Sequence, residues 1–162
     1  MRRLAAHEWP VYRALRLHAL RDAPDAFGST LAREEAFGDN VWADRLSAGA
    51  ESPTELPLIA EDGTRPIGLA WARLAPEDPD VAALYQVWVD PAYRHRGVGR
   101  LIVDTVIDWT RAAGARQLLL SVALGPTSAL EFYRRAGFLE IGQPIPLRDG
   151  STLLQQTMRR TL

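Results

Sequence analysis

The chain has 162 residues, 47% apolar and 24% charged, which is long enough for one domain with a sizeable core and excludes wholesale disorder. Nineteen basic against 20 acidic side chains leave a formal charge of −1, without the basic surplus of a nucleic-acid binder or a polybasic membrane anchor. Cysteine is absent, so disulfides, cysteine-ligated zinc, iron–sulfur clusters and thiol nucleophiles are excluded together.

The first nine residues, Met1 to Trp9, hold two arginines but no apolar run and no small-residue cleavage site, unlike a signal peptide. No stretch approaches the roughly eighteen apolar residues of a membrane span, so a cytoplasmic location with no membrane partner is expected. Val11, Leu15, Leu17 and Leu20 predict a helix between Pro10 and Leu20, broken by Asp22 and Pro24. A second, patchy helical stretch runs from Ser29 to Leu46 with an interruption near Gly38, and Gly49 to Pro57 reads as a loop. Leu56 to Glu61 and Ile67 to Leu74, joined at Asp62-Gly63, predict an antiparallel hairpin, and Val81 to Val89 a third strand inside the sheet. Val98, Leu101, Ile102, Thr105, Val106 and Trp109 recur at helical spacing, with Gly114 at the C-terminal cap. Leu118 to Val122 is a short strand. Ala129 to Arg135 is a helix framed by Ser128 and Glu131 at capping-box spacing and by Gly137. Phe138 to Ile141 and Leu153 to Met158 close as strands around Arg148-Asp149-Gly150. The order predicts a single domain, 1–162, of the α+β (mixed α/β) class with one sheet.

The segment Arg94-His95-Arg96-Gly97-Val98-Gly99-Arg100 carries the chemistry. It lies between a buried strand and a helix start, where unpaired N–H groups and the helix dipole bind an anion, and its glycines admit a bulky one. Arg94, Arg96 and Arg100 add a local positive field, and every basic residue of the chain besides its histidines is arginine. Without lysine the nucleoside-triphosphatase loop is excluded, and Ile102 stands where a dinucleotide fingerprint needs glycine. The three histidines, His7, His18 and His95, form no helical ligand pair, so no metal is expected. Read alone, the heptapeptide also suits a plain strand-to-helix turn with a solvated arginine rim.

The pattern Arg94-x-x-Gly97-x-Gly99, preceded by Val87-Trp88-Val89-Asp90-Pro91, resembles the signature of the GNAT superfamily of acetyl-CoA-dependent N-acetyltransferases. Ala129-Leu130-Glu131-Phe132-Tyr133-Arg134-Arg135-Ala136-Gly137-Phe138 is similar to that superfamily's second motif, in the usual order and separation. The resemblance implies a central, mostly antiparallel sheet splayed at the cofactor site, with helices on both faces. It implies that acetyl-CoA sits with its pyrophosphate on the turn from Arg96 to Leu101, through Gly97, Val98, Gly99 and Arg100, with Arg94 and His95 nearby. Its pantetheine arm would lie along Val87, Trp88 and Val89 like an added strand, an N–H near Val87 polarising the thioester carbonyl. Tyr133 matches the tyrosine that protonates the departing thiolate; a thiol near pKa 8.5 and a phenol near 10 make that transfer cheap.

Two positions depart from the family's pattern. Pro126 stands where many relatives carry an asparagine that contacts the cofactor arm, leaving Thr127 or Ser128 to compensate. Ser121 stands where some relatives place a glutamate, and no base occupies Ala83-Leu84-Tyr85-Gln86. An alkylamine near pKa 10.4 costs roughly 4–5 kcal/mol to deprotonate at pH 7, so a base is needed: Glu34, Glu35, or water held by Tyr85 and Ser121. An α-amine, at about 7.7–8.0, needs far less help. The acceptor, a small molecule or a peptide or protein N-terminus, is expected near Phe27, Glu34, Tyr85 and Ser121, with Trp42, Trp71 and Trp88 as further candidate walls, in a monomer or homodimer. The alternatives are a non-catalytic acyl-CoA-binding or regulatory module of the same fold, and another phospholigand enzyme on a nucleotide-binding fold.

Overall fold

The computed structural model describes residues 1–125 and 128–162. The strand-forming runs of the sequence become β1 (Arg2–Arg3), β2 (Glu55–Asp62), β3 (Arg65–Ala75), β4 (Asp78–Val89), β5 (Gln117–Ala123), β6 (Leu139–Pro146) and β7 (Leu154–Thr161). They join one sheet in the order β1-β2-β3-β4-β5-β7-β6. Every neighbour pair is antiparallel except β4 and β5.

That parallel pair holds only from Val81 to Leu84 against Gln117 to Leu120. Beyond it β4 stays on β3 as far as Val89, while β5 stays on β7 as far as Ala123, so the two strands part. The cause is local. Leu69 faces Trp88 and Trp71 faces Tyr85, which sets Gln86 and Val87 of β4 against Ala70 alone. Gln86 takes φ +56°, outside the strand region, and such a bulge bends its strand away from the neighbour. The splayed sheet that the family resemblance implies is present.

Helices cover both faces. Ile102, Val103, Val106 and Ile107 of α4 (Val98–Ala112) and Tyr133 of α5 (Ala129–Arg135) join Leu118, Leu120, Phe138 and Met158 in one core. On the other face Tyr12, Leu15, Ala19 and Leu20 of α1 (Trp9–Asp22) and Trp42 and Leu46 of α3 (Asp39–Glu51) pack on Leu69, Trp71 and Trp88. A short α2 (Leu31–Glu35) lies between them in the chain, and Gly38 caps α3, where the sequence shows its interruption.

Three expectations change. The loop predicted over 49–57 is mostly ordered: α3 runs to Glu51 because Gly49 lies against Trp71, whose ring leaves only 2.2 Å to where a Cβ would stand. Both final strands are longer than predicted. Ser128 and Glu131 form no capping box. Ser128 already has near-helical angles, φ −79° and ψ 5°, so its hydroxyl cannot fold back onto the first turn, and Glu131 pairs with Arg135 instead at 3.0 Å. The C-terminal end does follow the prediction, with Gly137 at φ +84° and the Phe138 N–H on Tyr133 O at 3.0 Å.

The N-terminal segment is tied down by Arg2, which donates to Glu8 at 2.7 Å and to Glu61 at 2.8 Å. That hydrogen bond, with one from the Ala5 N–H, holds the Glu8 carboxyl at about 2 rather than 4.5. A lowered folded-state value adds stability above pH 4.5 that is lost as pH falls toward 2. Arg2 is half exposed, so screening keeps the effect to about 1 kcal/mol or less. Thermal unfolding midpoints should fall across that window, and Glu8→Gln should flatten the fall.

Candidate active site

The turn after β4 opens with Asp90, which accepts from the Ala92 N–H at 2.9 Å and starts a short 3-10 turn, Pro91–Tyr93. Gly97 then caps α4 at φ +83°, a conformation in which an L side chain is strained. Leu101 is the first residue of α4 to donate within the helix, to Gly97 O at 3.0 Å, which leaves the N–H groups of Val98, Gly99 and Arg100 unpaired within it. Among the described residues no side chain stands within 4 Å of a Cβ at Gly97, whereas one at Gly99 would touch Phe132 at 3.5 Å and Val89 at 3.9 Å. Phe132 thus brings α5 onto the first turn of α4. His95 also has positive φ, +61°, and is exposed.

The arginines of this turn are less free than the sequence suggests. Arg94 donates from Nε to Val89 O at 3.0 Å and pairs with Asp22, so it struts β4 to the end of α1. Arg100 is taken by Asp104 at 2.8 Å. Arg96 lies over the Tyr93 ring at 5.5 Å and has no carboxylate partner among the described residues. An anion at this turn would therefore rest on main-chain N–H groups and the helix dipole, with Arg96 as the available cation.

Along β4 the Asp90 N–H donates to Ile67 O on β3 at 2.9 Å. Backbone groups alternate along a strand, so those of Trp88 turn to β3, and those of Val87 and Val89 turn into the opening toward β5. The Trp88 ring is buried on the α1 face, its Nε1 donating to Asp22 at 2.9 Å. The Trp88 side chain thus faces the core on the α1 side of the sheet, and its backbone groups face β3. Trp42 and Trp71 are likewise core, at 5.6 and 5.3 Å from the Tyr12 ring. Ser128 is exposed at the start of α5, and Thr127 lies outside the described residues.

Tyr133 is 8% exposed and packs edge-on to Phe132 at 5.0 Å and Phe138 at 5.7 Å. Burial raises its phenol well above the ordinary 10.0, so the matched thiol and phenol values expected from the sequence do not hold and the group keeps its proton. As a neutral phenol it can act as an acid but not as a base. The C-terminus of α5 is fixed by Arg160, whose Nη1 donates to Ala136 O at 2.5 Å.

On the other side of the opening a cavity of about 380 Å³ gathers Phe27, Glu34 and Tyr85, three of the expected acceptor residues, with Gln86. Ser121 lies outside it on β5, just past the last paired residue, with its hydroxyl 3.5 Å from that of Thr157. Neither glutamate is a free base. Glu34, 3% exposed, gives both oxygens to Arg16 at 2.8–3.2 Å, and Glu35 pairs with Arg21 at 3.0 Å. Sequence reasoning missed Arg16 and Gln86. Arg16 was detectable as a charged residue inside the buried stripe of Tyr12, Leu15, Ala19 and Leu20. The Gln86 side chain is anchored by the Tyr12 hydroxyl at 3.1 Å, which pins the bulge. Tyr12→Phe should cost about 1 kcal/mol, read as a Tm lower by about 2–4 °C.

The chain matches the Acetyltransferase (GNAT) family over residues 12–138 and belongs to it. It is similar to the mycothiol acetyltransferase of Geodermatophilus obscurus, 36% identical over 85 residues that make up 50% of this chain and 28% of that protein. This chain thus spans under a third of the length of that curated relative. Its fold is shared with an acetyltransferase of the GNAT family from Streptococcus pneumoniae, at TM-score 0.80 and 20% identity over 99% and 98% of the two chains. A PaiA N-acetyltransferase from Thermoplasma acidophilum, solved in complex with coenzyme A, matches at TM-score 0.77 and 15% identity over 99% and 97%.

Proposed function

We propose that the protein is an N-acetyltransferase that moves an acetyl group from acetyl-CoA to an amine of a small molecule or a peptide or protein N-terminus, within one ternary complex in the cytoplasm. The observation that carries this reading is the parting of β4 and β5 directly beside a helix start capped by a positive-φ glycine. The residues fit the cosubstrate: the N–H groups of Val98, Gly99 and Arg100, which have no partner within the helix, suit a diphosphate with Arg96 nearby, and the edge of Val87 and Val89 suits an amide-bearing arm. Acetyl-CoA supplies an activated acyl group, whose C–S bond breaks as the N–C bond forms. The Val87 N–H polarises the acyl oxygen, and Tyr133 donates its proton to the departing sulfur and regains one from solvent. The ammonium form of the acceptor loses two protons in all, one of which balances the thiol. With Glu34 and Glu35 engaged, water at Tyr85 and Ser121 relays the amine protons.

Free thiol release from acetyl-CoA, followed across a panel of amines, tests the reading. Turnover with at least one amine is expected. Tight coenzyme A binding with no turnover would favour a binding or regulatory module of the same fold, which the engaged glutamates keep in view.

A further inference from the structure

Resting on the transferase reading, we propose that the acceptor is a small primary amine that also carries an oxyanion, a carboxylate or a phosphate, seated in the basic cavity beside the β4 bulge. The charged side chains lining that cavity are Arg16, Arg33, Arg45 and Glu34, three guanidiniums against one carboxylate. Glu34 cannot neutralise them all. Arg16 reaches it with Nε and Nη2, at 2.8–3.2 Å, whereas Arg45 stands 3.7 Å away and Arg33 has no carboxylate partner among the described residues.

A second observation points the same way. Arg16 is 3% exposed, and its remaining fork, Nη1, is buried without an acceptor among the described residues. A buried guanidinium N–H left unpaired is unfavourable, and an anionic oxygen is its strongest acceptor. Two of the guanidiniums are also held in place. Arg16 lies over the Phe27 ring at 4.6 Å, and Arg45 over Phe37 and Trp42 at 5.2 and 5.3 Å. Little ordering remains to be done when a ligand arrives.

The geometry gives the ligand a direction. Tyr85 and Gln86 line the same cavity and sit at the parting of β4 from β5, so the amine belongs at that end and the oxyanion among the arginines. Phe27 and Phe37 offer an apolar wall to the carbons between. The loop bearing Phe27 is fixed by Arg148, which donates to Phe27 O at 3.1 Å and to Pro24 O at 3.3 Å. A cavity of this size and net charge suits a compact zwitterion and repels a polyamine.

The test compares matched acceptors at saturating acetyl-CoA: glycine, β-alanine, γ-aminobutyrate and L-phenylalanine with their carboxamides, and O-phosphoethanolamine with ethanolamine. At least one anionic member should exceed its neutral partner about tenfold or more in kcat/KM, chiefly through KM, and Arg45→Met or Arg33→Met should shrink that ratio to about twofold. Which pair responds separates carboxylate from phosphate. Equal kcat/KM within every pair, or a preference that survives both substitutions, would overturn the proposal while leaving the transferase reading intact. Calorimetry of the coenzyme A-saturated protein with the same anionic amines distinguishes the two failures. Binding that Arg45→Met weakens about tenfold, without turnover, supports the oxyanion site and counts against the transferase; no binding of any anionic amine overturns the oxyanion site, and the transferase reading is then decided by free thiol release across the full amine panel, peptide N-termini included.

Discussion

Replacing Gly97 or Gly99 by valine should lower coenzyme A affinity about 100-fold or more in calorimetry, equivalent to about 2.7 kcal/mol or more. The two positions act differently. At Gly97 a Cβ meets nothing within 4 Å among the described residues, but φ +83° is strained for any L side chain by about 1–2 kcal/mol, and valine branches at its Cβ. The chain would relieve that strain by turning the peptide and taking the N–H groups of the first turn of α4 out of line. At Gly99 the backbone is helical and the limit is space. One methyl makes ordinary contact with Phe132 and Val89, at 3.5 and 3.9 Å, so Gly99→Ala should fold with Tm unchanged or higher, since alanine gains up to about 1 kcal/mol over glycine inside a helix. Valine adds a second branch that must go into Phe132 or outward over the N–H groups. An affinity within twofold of the parent in both valine variants, with circular dichroism unchanged, would move the diphosphate elsewhere.

The contrast between Gly97 and Gly99 shows which information the chain carries locally. A left-handed cap, a helical stripe from Val98 to Trp109 and the Gly137 stop each depend on residues within a turn or two of one another, so the sequence reveals them. The parting of the sheet was legible only through the resemblance to a family, because a glutamine at φ +56° leaves no local mark: its amide oxygen is held there by Tyr12, 74 positions away. Distance along the chain also explains the arginines. Arg94 reads as a phosphate ligand until Asp22, 72 residues earlier, is brought beside it, and Glu34 reads as a free carboxylate until Arg16 closes on it. Trp88 misled for a related reason. In a strand covered on both faces the alternation of side chains is not visible as alternation of polarity, so the buried face and the open edge cannot be told apart from composition.

Tyr133→Phe should lower kcat about 100-fold while coenzyme A affinity changes less than about threefold, the pattern of a group that acts on the reacting atoms and not on the bound cosubstrate. The substitution keeps the ring against Phe132 and Phe138, at 5.0 and 5.7 Å, so packing survives, and a residue serving only the core would show no rate loss. The same burial that raises the phenol above 10.0 supplies a second readout. Its neutral form is the one the fold favours, so the folded state binds more protons than the unfolded chain once pH exceeds the unfolded value. The contribution is full below about pH 10 and is lost as pH climbs beyond it. The parent should therefore lose stability on the alkaline side more steeply than the phenylalanine variant, in denaturant titrations between about pH 9 and 11. A raised phenol also limits the chemistry: it does not ionise at working pH, and in the proposed reaction its proton would move only as charge develops on the departing sulfur. Should the phenylalanine variant turn over at the parent rate, that proton must reach the sulfur from solvent, and Tyr133 would be left with the packing role that its neighbours already describe.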